Sequence, residues 1–234
     1  MAKDGGNKMA EFERKLSAAE KQDTRTVYAA TVCLLRDSEA GLEALMLRKN
    51  SKIAFGGMWV FPGGRIDDDD GDEGADQEAC ARAAAIREAE EETGLVVTGE
   101  DLVWFSHWTP PELGNRRFIT WFYAARSPEG AVEIDGGEIL ESQWMAPQDA
   151  LSRHAAGEVE LVPPTFVTLH YLSQYPDVNA ALGGLAEGGP SYYATRIGAF
   201  EDDLVAMWEG DAGYEPWDAT IEGSRHRLRM KAGG

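Results

Sequence analysis

Apolar and β-forming residues first gather at 27–36, VYAATVCLLR, and this run predicts a buried strand. A turn at DSEAG (37–41) separates it from LEALMLRK (42–49), which reads as its hairpin partner. MWVF at 58–61 predicts a short strand running into Pro62-Gly63-Gly64. Polarity then takes over in DDDDGDEGAD (67–76), and an Ala-rich helix follows from about Gln77 to Thr93, with Gly94 where a C′ glycine belongs. LVV (95–97), DLVWFSHW (101–108), RFITWFYAAR (117–126) and EILESQWMA (138–146) read as further strands. Pro147 opens a short helix, and Pro163-Pro164 opens another through TFVTLHYLSQY. Beyond Pro176 the pattern weakens into Gly-rich loops, with LVAMW and HRLRM as candidate strands. Residues 1–24 form a polar leader, either a short helix through Phe12, Leu16 and Ala19 or a frayed tail. The expectation is one domain over 25–234 with a C-terminal elaboration from about 163.

Charge narrows the ligand. Of 234 residues, 41 are Asp or Glu against 22 Lys or Arg, a formal charge of −19. That excess argues against nucleic-acid partners, whose phosphate backbone requires a basic surface. It is compatible with a small polyphosphate held through a divalent cation. No apolar stretch is long enough for a membrane span, and no secretory h-region opens the chain, so a cytoplasmic protein is expected. Cys33 and Cys80 are too few for a disulfide scaffold and read as buried thiols.

Residues 87–95 read Arg-Glu-Ala-Glu-Glu-Glu-Thr-Gly-Leu. On a helix, Glu88, Glu91 and Glu92 stand at i, i+3 and i+4, with Cβ atoms roughly 5–6 Å apart. Like charges at that spacing repel, unless a hard cation sits among them. Arg87, four residues before Glu91, can hold its carboxylate. A solvated Glu-rich helix is the simpler reading of this run alone. Gly63-Gly64, read alone, is simply a turn that lets backbone approach a ligand closely.

Taken together, Gly64, Arg87, Glu88, Ala89, Glu91, Glu92, Gly94 and Leu95 resemble the box of the Nudix hydrolases, G-x5-E-x7-REUxEExGU. Two departures stand out. Arg87 follows Gly64 by 23 positions, nine more than the family spacing, and the surplus falls most simply in the acidic loop 67–76. Counting back from Arg87, the first Glu of the pattern falls on Ala79, so its contribution is lost or comes from another acid. The Asp67–Asp70 run reads as a solvated loop, since four consecutive acids cannot all converge on one ion.

The resemblance implies an α/β fold, an α/β/α sandwich on a mixed β-sheet, with the box over residues 63–95. It implies a diphosphatase using Mg²⁺, or Mn²⁺ in its place, with Glu88, Glu91, Glu92 and the Gly64 carbonyl as metal ligands and Arg87 as positioner. Glu91 and Glu92 then serve catalysis through the metal. A general base from beyond the box is expected at Glu138, after Gly136-Gly137, with Glu141 as the alternative. Homodimers are common in the family.

Substrate choice lies outside the box. WVFPGGRID (59–67), Thr109-Pro110, Arg116-Arg117-Phe118, Trp144 with Pro147, and Pro163-Pro164-Thr165 resemble the coenzyme A diphosphatase-like branch. That branch's upstream motif is met only in part, with Met46, Lys49 and Ile53 departing from it. The expected substrate is a nucleoside diphosphate linked to another moiety, with coenzyme A or its thioesters first and ADP-ribose or NADH as alternatives. Arg48, Arg65, Arg116 and Arg117 are the candidate substrate-binding cations, and Lys49 lies near them. Trp108, Phe118 and Trp121 are aromatics that could stack on a base, although strand aromatics are usually core. Isopentenyl diphosphate isomerase chemistry lacks its cysteine context here. A non-catalytic ligand sensor would not need three repelling acids.

Overall fold

The computed structural model describes residues 25–50, 56–111, 116–134 and 136–230; the leader expected at 1–24 lies outside them. The chain groups into two compact units. Of the described residues, the larger holds Tyr28–His107 and Thr120–Ser191, and the smaller holds Arg25–Val27, Trp108–Ile119 and Tyr192–Met230.

The larger unit is built on strands β1 (Arg25–Ser38), β2 (Gly41–Lys49), β3 (Trp59–Val60), β4 (Gly63–Arg65), β5 (Val103–Thr109), β6 (Arg116–Arg126) and β7 (Ile139–Met145). The start of β1, the end of β5 and the start of β6 belong to the smaller unit. The sheet runs β3-β2-β1-β6-β5, with β4 on β1 and β7 on β2. The hairpin expected around residues 37–41 is present, with Ser38 opposite Gly41. β4 was not expected as a strand: Ala30 pairs with Gly64 and Thr31 with Gly63, and the Thr31 hydroxyl donates to the Pro62 carbonyl at 2.6 Å. This pairing fixes the glycine corner on the sheet. Residues 95–97 form no strand; a 3₁₀ turn at Gly99–Asp101 follows them.

Helix α1 (Gln77–Thr93) keeps the expected ends. Asp76 caps it by accepting from the Ala79 N–H at 2.9 Å, and Gly94 closes it at φ 70°. Ala81, Ala84, Ala85 and Ala89 are buried. This stripe of small residues is one in which helix and sheet backbones can approach closely, at a distance longer side chains would forbid. Helices α2 (Pro147–Ala155) and α3 (Pro163–Leu172) open at their prolines as expected. Helix α4 (Val178–Gly188) lies where Gly-rich loops were expected; its start is capped by Asp177, and Val178 and Ala181 are buried. No helix among the described residues is long and apolar enough to cross a membrane.

The smaller unit carries β8 (Ser191–Ala194), of which Tyr192–Ala194 belong to it, and an antiparallel sheet of β9 (Arg196–Phe200), β10 (Asp203–Met207) and β11 (Arg227–Met230). Val205, Met207, Tyr214 and Ala219 form its core. Trp108 stacks on Tyr193 at 4.0 Å between ring centroids, and Trp208 meets both edge-on. The buried Asp211 carboxylate accepts from the Arg227 guanidinium and from the backbone N–H groups of Gly213 and His226.

Candidate active site

The three acids of α1 differ in burial because they sit at different angles to its alanine stripe. Glu92, three residues after Ala89, continues the buried face. Glu88 lies at its edge, and Glu91 points to solvent with a side chain 59% exposed. The glycine corner receives the first two. The Gly63 N–H donates to Glu92 Oε2 at 2.8 Å. The Glu88 carboxylate occupies the space beside Gly64 that any Cβ would need. Only glycine allows that approach.

Two cations compensate the acids. Lys49 Nζ donates to Glu92 Oε1 at 3.0 Å and lies 3.4 Å from the Gly63 carbonyl. Arg87 Nη1 donates to Glu88 Oε1 at 2.9 Å and to Glu91 Oε2 at 3.2 Å. Its Nη2 reaches the Arg65 carbonyl at 3.0 Å. Burial raises the Glu92 carboxyl to about 7, against the opposing pull of Lys49 and the Gly63 N–H. Burial likewise raises Glu88, with Arg87 opposing.

The acidic loop differs from expectation at one residue. Asp67, Asp68 and Asp69 are exposed, but Asp70 is buried. Its carboxylate accepts from Arg87 Nε at 2.9 Å and Nη2 at 2.8 Å, a fork that holds Asp70 below the usual carboxylate range. Four consecutive acids fail to converge, as expected, yet the fourth turns inward.

The remaining candidates are placed variously. Arg48 lies 3.4 Å from Glu141, so each engages the other. Glu138 precedes β7, and its carbonyl accepts from the Asn50 N–H at 2.8 Å, next to Lys49. Arg65 is well exposed, on the strand that carries the glycine corner. Arg116 and Arg117 belong to the smaller unit, where Arg117 donates to Thr26 at 3.4 Å. Trp108 and Trp121 are buried core, the usual fate of strand aromatics. Cys33 is buried and Cys80 half-buried. Asp70 is the residue whose place the sequence did not give; Lys49 was expected near the site, but not as the partner of Glu92. For Asp70 the only signal was a missing acid at Ala79 beside a surplus loop rich in acids.

Among the described residues no three His, Cys, Asp or Glu side chains converge as a ready-made metal cage. Arg87 and Lys49 instead hold the carboxylate oxygens of Glu88, Glu91 and Glu92. The donor set still suits a hard divalent ion: all oxygen, one acid exposed at the surface, and a glycine corner that permits close approach.

The family model described as NUDIX domain matches residues 25–164. The chain belongs to the Nudix family. A Caenorhabditis elegans protein named as nudix hydrolase 7, an assignment made by inference, is 26% identical over 57% of this chain. This chain spans 56% of that relative's length. The crystal structure of a NUDIX hydrolase from Alicyclobacillus acidocaldarius is 22% identical, covers 69% of this chain and 97% of its own, and superposes with a TM-score of 0.62. That likeness bears out the Nudix fold.

Proposed function

We propose that this Nudix chain is a hydrolase of the diphosphate bond in a nucleoside diphosphate joined to another moiety, dependent on Mg²⁺ or Mn²⁺. The observation that carries the reading is the seating of Glu88 and Glu92 at Gly63-Gly64, with Arg87 tying the exposed Glu91 to Glu88. Glu88, Glu91, Glu92 and the Gly64 carbonyl would hold the cation, which when bound supplies charge neutralisation at the phosphoryl oxygens and a more acidic water. Arg87 steers the Glu88 and Glu91 oxygens; Lys49 and the Gly63 N–H fix Glu92. Glu138 is proposed to take the proton from the attacking water, ahead of Glu141, which Arg48 engages. Arg65, exposed beside the corner, is the first candidate for a substrate phosphate. Arg48, which touches Glu141 through Nη1 alone, is the second candidate, and Arg116 and Arg117 are proposed on sequence alone.

Coenzyme A and its thioesters come first among substrates, on the WVFPGGRID and flanking motifs. The test incubates the full chain with coenzyme A, ADP-ribose, NADH, dinucleoside polyphosphates and sugar nucleotides, with and without Mg²⁺, and identifies the products. Cation-dependent cleavage between two phosphates is expected for at least one. Cation-independent turnover would overturn the metal reading. Ligand binding with no turnover across the panel would favour a sensor instead.

A further inference from the structure

Arg87 carries five N–H donors in a planar fork. Nη1 serves Glu88 and Glu91, while Nε and Nη2 together grip Asp70 and Nη2 also reaches the Arg65 carbonyl. Asp70 is in turn held by its own loop: its Oδ2 accepts from the Asp67 N–H at 2.8 Å, and its N–H donates to the Asp67 carbonyl at 3.0 Å. Its side chain is only 6% exposed, although the loop around it is otherwise solvated. A buried carboxylate in a two-point fork fixes a guanidinium in position and plane, whereas a single contact would leave it free to rotate.

We propose that Asp70, carried by the acidic insertion, is a positioning residue that holds Arg87 where it gathers Glu88 and Glu91 through one nitrogen only, and thereby sets the affinity of the box for a divalent cation. It rests on the cation reading given above. Without Asp70, Nε and the outer edge of Nη2 lose their acceptor. The fork then turns onto the Glu88 and Glu91 carboxylates and competes for oxygens the cation needs. Charge acts in the same direction. With every group ionised, Asp70, Glu88, Glu91 and Glu92 against Arg87 and Lys49 leave two negative charges, which one divalent ion matches. Loss of Asp70 leaves one.

The test measures Mn²⁺ binding to the full chain, without substrate, by electron paramagnetic resonance of the free ion. Asp70→Asn is expected to weaken binding by about 10-fold or more, the usual effect of removing a partner that orients a metal ligand. At saturating Mn²⁺, turnover should recover most of its wild-type value with KM for substrate unchanged. Asp70→Glu, which keeps the carboxylate, should bind Mn²⁺ with intermediate affinity, and it serves as the probe if the Asn variant folds poorly. In an Arg87→Ala background Asp70→Asn should add nothing. Wild-type affinity in Asp70→Asn, or equal losses in both backgrounds, would overturn the assignment while leaving the box reading intact. Wild-type protein that binds no Mn²⁺ would overturn both.

Discussion

Replacing Glu92 by Gln separates the burial of this acid from everything else it touches. In the folded protein its carboxyl sits at about 7 against an ordinary 4.5. Between those values the fold keeps a proton that the unfolded chain has released, so stability falls as pH rises through the window. At ~1.36 kcal/mol per pH unit the full span amounts to roughly 3 kcal/mol, lost by about pH 7. The Gln variant has no such proton. Below about pH 7 Gln matches the protonated acid, and the Lys49 ion pair that forms as Glu92 ionises is already contained in the value of about 7. The difference in stability between variant and wild type should therefore move in the variant's favour by roughly 3 kcal/mol from pH 4.5 to pH 8. The assay is urea denaturation of both proteins across that range in chelator. Adding Mg²⁺ at pH 8 should then stabilise wild type and not the variant, since a bound ion favours the ionised acid. Parallel pH profiles in chelator would refute the reasoning, because they would mean Glu92 is ionised in the fold as readily as in the open chain.

Three other substitutions have definite expected outcomes. Glu91→Gln touches an exposed side chain and should change stability by no more than ~0.5 kcal/mol while lowering turnover roughly 100-fold, read by thermal melts beside steady-state kinetics. Gly64→Ala drives a methyl group into the Glu88 carboxylate; it should cost about 1–3 kcal/mol and weaken Mn²⁺ binding, measured by urea denaturation and titration. Asp211→Ala removes the carboxylate on Arg227 Nε and Nη2, leaving that guanidinium only the Ala219 carbonyl, and should cost the smaller unit about 3–5 kcal/mol, seen as early proteolysis within 192–230.

Much of the larger unit was legible because its signals are local. Asp76 and Gly94 bound α1, the prolines at 147 and 163 open two helices, and β1 and β2 announce themselves by apolar content and an intervening turn. Helix α4 was missed because its glycines weaken propensity, and the apolar contacts of Val178 and Ala181 override that weakness only in the folded chain. β4 was missed because Gly63-Gly64 has no strand preference, and only pairing with β1 makes it a strand. At the site, the i, i+3, i+4 spacing placed the acids together but could not rank them by burial; the depth of the alanine stripe does that. Lys49 and Asp70 reach the site from 43 and 17 positions away, and such long-range pairings leave no periodicity to read.

The family match ends at residue 164, which invites trimming the chain there. Trp108 lies inside the match, yet the ring it stacks on belongs to Tyr193, beyond it. A shortened version would bare an indole that is now 3% exposed, a sticky surface that colours solubility and yield before any assay begins. The late segment is thus less an ornament than a sleeve around that indole.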